Sequence, residues 1–107
     1  MHNDTRIIEW TSDSGGAATV DLEPGYAGKK LNWVKTVPGS GVSSYDLTLV
    51  DSDDFDWLIS EGASRSTSAA EILFAQSNVV LPNEPLSLVV ANAGDTKTGT
   101  VKMSIER

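Results

Sequence analysis

Cysteine is absent from the 107 residues. That removes disulfide staples, thiol nucleophiles and cysteine-ligated zinc or iron–sulfur sites, and leaves the chain indifferent to redox compartment. Histidine is almost absent: the single copy, His2, stands at the start with no catalytic neighbour in sequence. Basic residues are scarce, 8 against 15 acids, for a net charge of −7. Nucleic-acid affinity rests mainly on cationic contacts, so direct binding to nucleic acid is not expected. The balance suits solubility, or docking on a basic partner surface. No apolar run approaches the roughly 20 residues of a membrane-spanning helix. The opening MHNDTRIIEW lacks a basic head followed by an apolar stretch, so no secretory signal is expected. The G-x-S-x-G nucleophile elbow, the phosphate-binding loop ending in Lys-Ser/Thr and the dinucleotide fingerprint are all missing. Acids are abundant, but nothing in the sequence orders two of them into an acid–base pair. The expectation is a protein that is not an enzyme and carries no cofactor, calcium apart.

What is present is short apolar alternation broken by Gly, Pro, Asn and Asp. The clearest stretch is Leu47 to Ile59, LTLVDSDDFDWLI. It reads as a strand, an acidic turn over Asp51 to Asp54, and a second strand over Phe55 to Ile59. Other strands are expected over Thr5 to Trp10, Ala17 to Leu22, Lys29 to Val37, Tyr45 to Val50, Glu71 to Ala75, Asn78 to Leu81, Leu86 to Ala91 and Thr100 to Glu106. In Lys29 to Val37 one parity holds Leu31, Trp33, Lys35 and Val37, with Lys35 interrupting the apolar side. In Thr100 to Glu106, Val101, Met103 and Ile105 alternate cleanly against Lys102, Ser104 and Glu106. Seven to nine short strands with turns every eight to twelve residues, and no long helix, predict an all-β fold: an antiparallel β-sandwich, or a small β-barrel. One domain over residues 1–107 is expected, with residues 1–14 set off as an extended N-terminal arm.

Several groups invite a functional reading. Asp51, Asp53, Asp54 and Asp56 form the oxygen-rich pattern that calcium prefers, although the glycine and distant glutamate of the helix–loop–helix calcium motif are missing. The alternative is a solvated hairpin turn in which aspartate bonds its own backbone. Trp10, Trp33 and Trp57 would make a carbohydrate platform if exposed in a row. Their parity instead places Trp33 and Trp57 in the core, and Trp10 suits an interface. The segment Thr5 to Trp10, apolar in part and set off by a Ser/Gly turn, is read as a clasp for a neighbouring subunit, with Ile7, Ile8 and Trp10 as its contact residues. Arg65, alone in a polar loop, is a candidate to pair with the acidic turn or with another subunit.

Taken together, GKKLNWVKTVPG (28–39), YDLTLVDSDDFDWLI (45–59), GASRST (62–67) and LSLVVANAGDTKTGTV (86–101) resemble small all-β structural proteins of tailed bacteriophages and prophages. In those, a Tyr-Asp strand enters an acidic D-x-D-G-x-D turn. A Gly/Ala loop with Arg follows, then an L-x-L-x-V-x-N-A-G strand and a G-T-V strand. Tyr45-Asp46, Asp51, Asp53, Asp56, Arg65, Asn92-Ala93-Gly94 and Gly99-Thr100-Val101 match that order, while Asp54 replaces the turn glycine. The resemblance implies a virion component assembled in the host cytoplasm and working by protein–protein contact. The expected role is a capsid decoration or cement protein, with a small tail, neck or baseplate piece as the alternative. A carbohydrate- or calcium-binding module is the reading outside that class. The implied partners are further copies of the chain, a ring or trimer being the usual symmetric solution, and the major capsid protein or other virion proteins.

Overall fold

A computed structural model describes residues 3–22, 24–26, 28–58, 62–65, 69–74 and 79–106, the side chains of Asn3, Pro24, Phe74 and Val79 excepted. His2, Ile59, Ala75 and Asn78 lie outside the described residues. The strands are β1 (Asn3–Thr11), β2 (Ala18–Asp21), β3 (Lys30–Pro38), β4 (Asp46–Val50), β5 (Glu71–Phe74), β6 (Val79–Val80), β7 (Ser87–Ala91) and β8 (Thr98–Glu106), with one 3-10 turn at Pro24–Tyr26. They form two antiparallel sheets. The larger has the order β1-β8-β3-β5, with the two-residue β6 pairing the same edge of β3; the smaller has the order β2-β7-β4. The fold is a β-sandwich, and no barrel closure joins the sheets among the described residues.

The strands form where the alternation is cleanest. In β8, Val101, Met103 and Ile105 are buried; in β7, Leu88 and Val90; in β4, Leu47 and Leu49. These inner rows interleave as one core, which is how two sheets, each apolar on one face, remove those faces from water.

Two features depart from simple alternation. The first is in β3, whose register with β8 shifts between Leu31 and Trp33. A β-bulge places two residues against one and reverses the side-chain parity beyond it. Leu31 faces the core, and after the bulge Val34 and Thr36 do so. Trp33, expected in the core, is only half-buried and pairs with Ser104 on the outer face. The second is Trp10. It is 2% exposed and sits in the core, as does Ile8, because β1 pairs with β8 along its whole length. Residues 3–11 are therefore an integral strand and not a free arm, and the clasp expected of Ile8 and Trp10 is spent on the chain's own core. Room for the indole comes from its cross-strand partner Gly99, where any Cβ would collide with the Trp10 ring. Trp10 also packs against Tyr45 with ring centroids 5.6 Å apart.

Tyr45 and Thr36 are both fully buried, and their hydroxyls share a 2.6 Å hydrogen bond. Burial pushes the Tyr45 phenol above its ordinary pKa, against the opposing effect of that hydrogen bond. Because a buried polar atom left without its partner costs about 1–3 kcal/mol, Tyr45→Phe and Thr36→Val should each destabilise the fold by that order. The double substitution should cost clearly less than their sum, a coupling that denaturant unfolding of all four proteins measures.

Candidate functional site

The acidic loop is built on a side-chain hydrogen-bond pattern that recurs in the turn after β1. Asp51 Oδ1 accepts from the backbone N–H of Asp53 at 2.8 Å and of Phe55 at 3.1 Å. Asp13 Oδ1 accepts from Gly15 N at 2.9 Å and Ala17 N at 3.0 Å, the same two offsets. The backbone bonds correspond as well: Asp54 N to Asp51 O and Asp51 N to Phe55 O in one loop, Gly16 N to Asp13 O and Asp13 N to Ala17 O in the other. The fourth position is left-handed in both, Gly16 at φ 85° and Asp54 at φ 60°. Glycine adopts this conformation freely, whereas a Cβ there is strained, less so for Asp than for most residues. Asp54 thus occupies a glycine position.

Beyond the loop the expected strand Phe55 to Ile59 does not form among its described residues. Val50 and Asp56 make an isolated bridge, and Trp57 N donates to Leu49 O at 2.7 Å. The Asp56 carboxylate then takes over: its Oδ1 accepts from Leu49 N at 3.1 Å and Leu58 N at 2.9 Å. A side chain that satisfies the ladder donors removes the reason for the backbone to stay extended. Leu58 turns into the core at 0% exposure. Downstream, Leu47 N donates to Gly62 O and Arg65 N to Tyr45 O, so this segment covers the outer edge of β4.

Of the four aspartates expected as calcium ligands, only Asp51 and Asp53 come together with a third carboxylate, that of Glu84; their ligand atoms lie within 4.8 Å of one another. Asp54 and Asp56 are not in the group. Glu84 is held over the loop by Ser52, whose N and Oγ donate to Glu84 Oε1 at 3.0 and 2.6 Å. The Trp57 indole N–H donates to Asp51 Oδ2 at 2.9 Å. That bond, with the backbone donors, holds the Asp51 carboxyl below the usual carboxylate range. Three carboxylates at this spacing could coordinate a divalent ion such as calcium. Glu84 was missed in sequence because it lies on a separate connection ahead of β7 and nothing local ties it to the loop.

The remaining candidates are dispersed. Arg65 is engaged within the chain, with Nη1 3.7 Å from Glu71 and Nε donating to Ala63 O at 3.1 Å; among the described residues its ion pair is with Glu71 and not with the acidic turn. Trp57 is half-buried against the core, and Trp10, Trp33 and Trp57 form no exposed row. Ile7 alone of the proposed clasp is exposed, at 62%.

It faces out from the larger sheet, where cross-strand register sets up one row, Ile7–Lys102–Lys35–Ile72. Ile72 is exposed there, as is Val80, which pairs with Lys30 on the same face. Lys35 and Lys102 are directly opposed, and among the described residues neither has an ion-pair partner. Like charges in this position are destabilising.

The loop geometry gives a direct expectation. Asp54→Gly should stabilise the protein by up to about 1 kcal/mol, and Asp54→Val should destabilise it by about 1–2 kcal/mol; thermal and denaturant unfolding check both signs. No protein-family model, no curated protein and no solved structure matches this chain.

Proposed function

We propose that this chain is a structural component of a tailed-phage particle, in the first place a capsid decoration or cement protein and in the second a small tail, neck or baseplate piece. The observation that carries the reading is the outer face of the larger sheet, where Ile7, Ile72 and Val80 stand exposed beside an unneutralised lysine pair. Apolar side chains around a charge pair that is costly in isolation suit a surface meant to be covered. The resemblance of its motif order to that of phage structural proteins points to the same class. The mechanism is cohesive: a protein that binds only the assembled shell stabilises it by mass action. Electron microscopy of the particle is the test. Density at junctions between capsid subunits is expected, together with a lowered disruption temperature when the protein is omitted. Density confined to the tail selects the second role, and no density on either overturns both.

A second reading, a calcium-binding β-sandwich module, is favoured by the Asp51, Asp53 and Glu84 carboxylates. On this reading calcium raises the thermal unfolding temperature, and Asp53→Asn or Glu84→Gln abolishes the rise. An unfolding temperature unmoved by saturating calcium overturns it, and calorimetric titration gives an independent measure.

A further inference from the structure

Four large apolar side chains are exposed among the described residues: Ile7, Phe55, Ile72 and Val80. Three lie on the outer face of the larger sheet. The fourth, Phe55, projects from the acidic loop, 53% exposed and edge-on to Trp57 at 5.2 Å between ring centroids. The two locations differ in charge as well. Residues 46–58 hold five aspartates and no basic residue, and Asp53 and Asp54, next to Phe55, are both exposed. The sheet face carries Lys30, Lys35 and Lys102, three of the eight basic residues of a chain with net charge −7. Lys30 is offset by Glu106 at 3.9 Å. Glu9 stands toward one end of the face, opposite Thr100. The imbalance is thus concentrated at Lys35 and Lys102, between Ile7 and Ile72.

The two surfaces are complementary in both respects. One is an acidic knob with an aromatic tip; the other is a basic centre with apolar shoulders. We propose that the chain associates head to tail with itself, the Phe55 knob of one copy seated on the Ile7–Lys102–Lys35–Ile72 row of the next. An acidic carboxylate between the lysines removes their mutual repulsion, and Phe55 against the isoleucines buries apolar area from both sides. Because the knob and the row are different patches, the contact is heterologous: it generates a ring where the rotation closes and a filament where it does not. This inference rests on the reading of the protein as an assembling component and names the contact that assembly would use.

Sedimentation velocity on the full chain over a range of concentration and salt tests it. The expected result is a species larger than a monomer that dissociates as salt is raised. A face variant, Lys35→Glu with Lys102→Glu, and a knob variant, Phe55→Ser with Asp53→Asn, should each weaken self-association at least about tenfold. Circular dichroism and thermal unfolding establish that both fold. Mixed together, the two variants should pair one to one and stop, since each keeps one working half. A chain monomeric at every concentration overturns the contact, as does an oligomer that neither variant weakens, or a mixture that fails to pair. Should the row instead bind an acidic segment of another virion protein, the chain would be monomeric alone and would decorate particles by microscopy. That outcome overturns self-association and leaves the decoration role standing. Head-to-tail assembly without any density on particles does the reverse.

Discussion

Two long ladders meet on β8, and the larger sheet is organised by that meeting. β8 pairs with β1 on one side and β3 on the other, and its Val101, Met103 and Ile105 form a row that both neighbours must match. Register fixes side-chain direction in a sheet, so β8 decides which residues of the flanking strands enter the core. On β1 it selects Ile8 and Trp10. On β3 it selects Leu31, then Val34 and Thr36, and the bulge between Leu31 and Trp33 is the accommodation that permits this. The same register aligns Ile7, Lys102, Lys35 and Ile72 into one outward row. Core and surface are two sides of a single constraint.

How far the sequence discloses this depends on whether the cause is local. The period-two pattern of β4, β7 and β8 is local, and so their existence and inner faces can be read directly. The bulge in β3 left one trace, the lysine that interrupted the supposed apolar parity. Shifting parity after Asn32 puts Lys35 outside and Val34 inside, which is what the fold does. The burial of Trp10 has no local trace, because the cavity that accepts it is made by Gly99, 89 residues away in sequence. In the acidic loop, the turn and the role of aspartate were readable. The failure of the strand after it was not, because it depends on the Asp56 carboxylate capturing two backbone donors. Glu84 joined the cluster through Ser52, a partnership that spacing along the chain does not announce.

Charge is segregated as well as unbalanced. The acids of the β4 end and the lysines of the larger sheet occupy separate surfaces, so the net charge of −7 understates the local fields. Such a distribution orients a protein during encounter and penalises wrong dockings.

Among the described residues, the backbone pairing of β1 is with β8. Asn3 is matched with Glu106 and Thr11 with Thr98. During synthesis at ~5–20 residues per second, the ~95 residues between Thr11 and Glu106 take roughly 5–20 s to appear. Throughout that interval the inward faces of β1 and β3 have no strand between them. Such distant pairing is slow to nucleate, because loop-closure entropy must be met before any contact rewards it. A nascent or truncated chain without β8 is therefore not a smaller working version of the molecule. Its unpaired strand edges and uncovered apolar rows favour aggregation, and the arrival of β8 is what separates the two fates.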